Sequence, residues 1–131
     1  MTRLCFALIA LAAGVPAAAV GLGPLSRSGI TDGPAKAFYL TVMNPYGETA
    51  GFRAYAVGPE DEDAQPRVQV FPARVRLGAG GGRRLLVVAR ALSPGETYAF
   101  RVCAEREQQS QGMINARVCS KLSARRLRPA A

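Results

Sequence analysis

The chain has 131 residues, a formal net charge of +8 and no histidine. This length is enough for one small domain. Without histidine, neither a Ser-His-Asp nor a Cys-His catalytic arrangement can be assembled, and the commonest general base is missing. We therefore expect a binding or structural protein rather than an enzyme, and no motif predicts a cofactor.

Residues 1–19 have the pattern of a secretory signal peptide. Arg3 provides a positive charge, residues 4–13 are an unbroken apolar run, and Ala17 and Ala19 are the small residues that flank a cleavage site. An apolar run of about ten residues is too short to cross a bilayer, which needs about twenty. We expect cleavage after Ala19, no transmembrane segment, and a mature protein that is periplasmic or secreted.

The mature sequence predicts short β-strands separated by turns. Residues 35–44 alternate between apolar and polar side chains and end at the turn Asn44-Pro45-Tyr46-Gly47. Further strands are predicted over 52–57, 67–71, 74–77, 85–89, 97–104 and 113–122, with 25–30 as a first strand. Because no mature segment has a helical period, we predict an all-β fold, an immunoglobulin-like antiparallel β-sandwich of about seven strands.

Cleavage of the signal leaves two cysteines, Cys103 and Cys119. In an oxidising compartment they are most simply one disulfide, and two thiols without a histidine leave a metal site short of ligands. The last two predicted strands should form a hairpin. If the cysteines lie opposite each other, the register also pairs Glu105 with Arg117 and Arg101 with Lys121. This register also places the two apolar rows on one face of the hairpin. The rows are Tyr98, Phe100 and Val102 of the first strand and Ile114, Ala116 and Val118 of the second.

Three charged or glycine-rich segments carry weaker signals. Residues 60–63 are all acidic, and a solvated loop is a better interpretation than a calcium site. Residues 78–82 lack the Gly-Lys-Ser/Thr ending and the following helix of a phosphate loop, so they predict a turn.

We divide the mature chain into a domain over 20–122 and a basic tail over 123–131. Much of the positive charge lies near this tail, which argues against nucleic-acid binding. The tail is either solvated or in contact with an anionic surface.

Short motifs follow one another in a definite order between residues 25 and 122. They are Leu40-Thr41-Val42-Met43-Asn44-Pro45, Val70-Phe71-Pro72, Val75-Arg76-Leu77, Arg83-Arg84-Leu85-Leu86-Val87, the segment from Ser93 to Val102, and Lys121-Leu122. In this order they resemble the N-terminal immunoglobulin-like domain of periplasmic pilus chaperones.

The resemblance implies a binding mechanism. In that family the last strand lends alternating apolar side chains to an incomplete pilin fold by strand addition, and here the row would be Ile114, Ala116 and Val118. A cleft arginine and a cleft lysine hold the terminal carboxylate of the pilin, and the matching residues are Arg27 and Lys121. The alternative is that both cations are ordinary surface residues and that the apolar row faces the core of this domain.

Pilus chaperones have a second sandwich domain, and this sequence ends where that domain would begin, so a lone first domain would lack half of the cleft. Two hypotheses follow. The first is an exported single-domain binding module that resembles a pilus-assembly chaperone domain and binds an extracytoplasmic, pilin-like protein client by strand addition. The second is a structural or adhesive immunoglobulin-like secreted domain with no chaperone role.

The export signal gives a direct prediction. The exported protein should begin at Val20, because Ala17 and Ala19 supply the small residues that signal cleavage requires. N-terminal sequencing of protein from the periplasm or the medium measures this. A soluble cytoplasmic pool that retains Met1 would contradict both export and disulfide formation.

Overall fold

The computed structural model describes residues 20–107 and 116–130. Within these residues the secondary structure consists of nine β-strands without a helix, which confirms the predicted all-β class. The strands are β1 Gly21–Gly23, β2 Ser26–Thr31, β3 Lys36–Met43, β4 Ala50–Val57, β5 Val68–Phe71, β6 Arg74–Leu77, β7 Gly82–Ala89, β8 Thr97–Arg106 and β9 Arg117–Arg126.

The strands form the two layers of an immunoglobulin-like sandwich. One sheet has the order β1-β3-β7-β5, and the other has the order β2-β9-β8-β4-β6. All pairs are antiparallel except β2 and β9, which run parallel. The predicted antiparallel sandwich is therefore confirmed, with one parallel pair that the sequence did not predict.

The first part of the chain is divided between the two sheets. β1 pairs with β3 at residues 41–43, and after Gly23–Pro24 the chain crosses so that β2 pairs with β9 at residues 121–126. Each neighbouring strand is thus covered over only part of its length. In the described part of the chain, β1 does not reach residues 36–40 of β3, and β2 does not reach residues 117–120 of β9. Each of these two stretches therefore lacks a neighbouring strand on that side.

The core lies between the sheets and follows the predicted alternation. Phe38, Leu40 and Val42 of β3 are buried and face Phe100 and Val102 of β8. Phe38 and Phe100 meet edge to face with ring centroids 6.2 Å apart. Burial of each such side chain contributes about 1.5–3 kcal/mol, so this double row accounts for much of the stability.

A buried asparagine ties the turn after β3 to the glycine-rich turn. Asn44 is 1 % exposed, and its amide nitrogen lies 2.8–3.1 Å from the carbonyl oxygens of Glu48, Leu77 and Gly78. Gly80 has a φ of +70°, a conformation that favours glycine, and its N–H donates to the Asn44 carbonyl. The segment 78–82 therefore supplies a turn, as predicted.

The β8–β9 hairpin has the register that the sequence predicted. Cys103 pairs with Cys119 and Arg101 pairs with Lys121. The two cysteines form a disulfide, with their Cα atoms 4.0 Å apart. Phe100 points from the opposite face of β8 into the core, so one register satisfies both the apolar row and the disulfide.

The end of β9 and the presence of β1 differ from the prediction. β9 continues to Arg126 rather than ending at Leu122, because residues 123–126 pair with β2 on one side and with β8 on the other. The first part of the predicted strand, 113–115, lies outside the described residues, as does the signal segment 1–19. β1 was not predicted, because Gly-Leu-Gly has neither alternation nor β-branched residues.

Reduction of the disulfide should lower the melting temperature by several degrees. A closed loop of about 15 residues is worth about 3 kcal/mol in the chain-entropy model, and about 1 kcal/mol corresponds to roughly 4–8 °C in a domain of this size. Calorimetry with and without reductant measures the shift. Thiol titration of the unfolded, unreduced mature protein should find no free thiol, and two reactive thiols per chain would contradict the bond.

Candidate functional site

The strongest candidate for a binding site is the uncovered edge of β9, residues 117–120. The edge ends where β2 begins, since the N–H of Lys121 donates to the Leu25 carbonyl at 2.9 Å and the Ser120 hydroxyl donates to the Pro24 carbonyl at 2.6 Å. On such an edge the backbone N–H and C=O groups are available to a strand of another chain. The site is therefore a strand edge with a defined end.

The structure places the predicted apolar row in part. Val118 pairs with buried Ala104 and packs against the core, and Ala116 is half-buried just before β9. Ile114 lies outside the described residues. Val118 therefore contributes to the core of this domain, as the structural alternative expects.

Lys121 borders a shallow depression of about 310 Å³ at the end of this edge. The polar residues that line it with the lysine are three serines, Ser26, Ser28 and Ser123, and the charged residues Glu60 and Arg101. Lys121 is exposed and forms no ion pair with any residue that the structure describes. An unpaired ammonium group beside three hydroxyls can bind a carboxylate.

Arg27 borders the same depression, but its side chain leaves β2 on the face opposite to that of Ser26 and Lys121. The register pairs Arg27 with buried Leu122, whereas Lys121 pairs with Ser26. Since side chains alternate along a strand, Arg27 and Lys121 point to opposite sides of the sheet. Arg27 also borders a second depression, between β2 and β3. The two predicted cations are thus neighbours in the sheet without sharing one face.

The acidic loop makes specific contacts that the sequence did not predict. The Glu62 carboxylate accepts hydrogen bonds from Arg117 at 2.7 Å and from Arg101 at 3.3 Å. Arg101 also donates to the carbonyl oxygens of Gly58 and Asp61, at 2.9 and 2.7 Å. The loop therefore holds the outer face of the β8–β9 hairpin beside the disulfide. Sequence alone gave no signal for this contact, because 39 residues separate Glu62 from Arg101.

The ion pair changes the protonation behaviour of Glu62. Hydrogen bonding from Arg117 lowers the pKa of Glu62 from 4.5 to about 2, and Arg101 acts in the same direction. The same hydrogen bond raises the pKa of Arg117. In the described ranges, no group of three or more His, Cys, Asp or Glu side chains lies close enough to hold a metal ion.

The fold is that of the PapD-like immunoglobulin domain found at the N-terminus of periplasmic pilus chaperones. The Escherichia coli chaperone DraB is 18 % identical with a TM-score of 0.66, over 82 % of this chain and 55 % of that one. A chain from the Salmonella enterica complex of SafA pilin with the SafB chaperone is 19 % identical with a TM-score of 0.65, over 82 % and 54 % of the two chains. PapD-like domain 7 of human CEP192 is 13 % identical with a TM-score of 0.69, over 99 % and 100 %.

These similarities establish the fold of the chain and not its role. The chain spans about 55 % of the DraB chain, and the same fold is present in a human protein. No protein-family model matches the sequence, and no curated protein is similar to it. No helix within residues 20–107 and 116–130 is long and apolar enough to cross a membrane.

The Glu62 contact predicts a pH dependence of stability. Because the folded pKa of Glu62 is lowered from 4.5 to about 2, its contribution should be fully present above pH 4.5 and lost as the pH falls toward 2. Wild type should therefore be more stable than Glu62→Gln at neutral pH and equal to it near pH 2. Denaturant unfolding across this range measures the difference.

Glu60→Gln is the matched control, because Glu60 lies in the same loop and forms no ion pair with a described residue. Its stability should follow the wild-type pH curve. Identical curves for Glu62→Gln and Glu60→Gln would show that Glu62 does not hold the loop in solution.

Proposed function

We propose that this protein is an exported binding module that holds an extracytoplasmic protein client by strand addition along the β9 edge. The observation that carries the proposal is the strand edge at 117–120, which lacks a neighbour in the described structure and ends at the start of β2. Strand addition requires such an edge, because the backbone hydrogen bonds of the edge provide the affinity.

Two further observations support this proposal. The Cys103–Cys119 disulfide suits an oxidising, extracytoplasmic compartment. Structures similar to this one include chaperones in complexes with a pilin and with a tip adhesin, which supports a pilin-like partner. We propose that the protein acts by binding alone, because a chain without histidine lacks the commonest general base.

We propose a direction for the client. A client strand that lies along residues 117–120 is collinear with β2 and stops against Pro24 and Leu25. If it runs parallel to β9, as β2 does, its C-terminus reaches the depression beside Lys121. The ammonium group then binds the terminal carboxylate, and the serine hydroxyls donate to it. Arg27 leaves β2 on the opposite face, so Lys121 is the contact that we propose for the carboxylate.

The alternative, a structural or adhesive domain, is favoured by one surface. On the outer face of the four-stranded sheet, Tyr39, Leu86 and Phe71 lie directly opposite one another on β3, β7 and β5. Tyr39 and Phe71 are 55 % and 52 % exposed. Exposed aromatic side chains in a row are typical of interfaces, so this face is the expected contact in self-association.

A photo-crosslinking residue at Leu25 separates these two functions. Leu25 is 57 % exposed and adjoins the end of the β9 edge, whereas Phe71, 52 % exposed, lies on the other sheet. We expect Leu25 to crosslink, in cells that export the protein, to the C-terminal segment of a second protein, and Phe71 to give no such product. Crosslinks from Phe71 to a second copy, with none from Leu25, would favour the structural alternative.

The same assay tests Lys121. Lys121→Ala should weaken client capture about tenfold or more, since a hydrogen bond to a charged group contributes about 1.5–3 kcal/mol. Its melting temperature should stay near the wild-type value, because the side chain is exposed. Arg125→Ala is the matched control, because Arg125 lies on the same face of β9 outside the depression. Equal capture by wild type and Lys121→Ala would remove Lys121 from the site.

A further inference from the structure

The second uncovered edge, residues 36–40 of β3, borders a depression at the open side of the sandwich. This depression has a volume of about 160 Å³ and is lined by Arg27, Ser28 and Gly29 of β2 and by residues 36–39 of β3. It exists because β1 covers β3 at residues 41–43 and leaves the rest of this edge uncovered. Every second backbone N–H along an uncovered edge points away from the sheet, so the edge offers donors as well.

Gly29 makes room for the Lys36 side chain in this depression. A Cβ atom at Gly29 would lie 2.3 Å from the Lys36 Cε and 3.2 Å from the Phe38 Cε1, so a larger residue would displace the lysine. The Lys36 ammonium lies 5.8 Å from the centroid of the Phe38 ring, within range of a cation–π contact. The lysine is therefore held in place between a glycine and an aromatic ring.

Arg27 brings a second positive charge to the same side. It precedes Gly29 by two residues, so the Arg27 side chain leaves β2 on the face on which Gly29 adjoins Lys36. No carboxylate lines the depression, and the ion pairs of the described residues include neither Arg27 nor Lys36. Two cations that line one depression without a carboxylate among its lining residues favour the binding of an anion there.

We propose that Arg27 and Lys36 form an oxyanion site that binds a phosphate monoester group. Two positive charges match a dianion better than a single carboxylate, and a guanidinium group binds phosphate through two parallel hydrogen bonds. Lys36 and Gly29 lie outside the Lys121 depression and Lys121 lies outside this one, whereas Arg27 and Ser28 border both. Its phosphate group comes either from a small soluble molecule or from a lipid headgroup.

Inorganic phosphate is the first probe, added to the mature protein at constant ionic strength and followed by amide NMR. We expect saturable shifts centred on Gly29 and on residues 36–39, which an equivalent addition of chloride does not produce. Arg27→Gln, Lys36→Gln and Gly29→Ala should each weaken binding about tenfold or more. Arg125→Gln removes the same charge at a distance, and it should bind phosphate as wild type does.

Vesicles identify the source of the phosphate group. If it belongs to a lipid, phosphatidylcholine vesicles that contain phosphatidic acid should sediment the protein, and those that contain phosphatidylglycerol should do so less, because only phosphatidic acid carries a monoester. This binding should also require Arg27 and Lys36. The inference is overturned if neither probe binds, if Arg125→Gln loses binding as much as Arg27→Gln, or if only Lys121→Gln loses it.

Discussion

The division of the first strand between the two sheets is the constraint on which both candidate sites depend. A strand that stayed in one sheet would cover its neighbour completely and leave the other sheet with a full edge. Here the chain crosses at Gly23–Pro24, so β1 covers part of β3 and β2 covers part of β9. In the described chain, β3 and β9 each keep a short uncovered stretch with a defined end, and a defined end can fix the position of a bound strand or group.

An uncovered edge must be held in place by its remaining contacts. For residues 117–120, β8 is the one strand neighbour in the described chain, and the disulfide lies within this stretch at Cys119. From the outer face, Glu62 contacts Arg117 and Arg101. From the inner face, Val118 packs on the core. The edge is thus held by β8, by the acidic loop and by the core, and its remaining side has no strand beside it in the described chain. Because the edge is already ordered, binding a strand there costs less entropy.

The sequence was informative where local rules decide the structure. Alternation in β3 and β8 predicted which side chains are buried, and the cysteine pair predicted the hairpin register, because a shift by one residue would expose the apolar row. Gly21–Gly23 gave no strand signal, since its pairing depends on β3, 20 residues away. The same limit applies to Glu62, whose partners lie on distant strands. Contacts that depend on how the sheets are arranged therefore could not be predicted from local patterns.

The basic residues near the C-terminus show how position within a strand decides the role of a charge. Composition groups Lys121, Arg125 and Arg126 as one cationic segment, yet all three lie in β9. Arg126 turns inward, where its guanidinium donates to the Leu92 carbonyl at 2.7 Å and ties β9 to the loop before β8. Lys121 faces the depression at the end of the uncovered edge, and Arg125, on the same face, lies outside it. Arg126 thus stabilises the fold and Arg125 is solvated, because side chains of adjacent residues point to opposite faces of a strand. Lys121 shares the outer face with Arg125 and differs from it in bordering the depression.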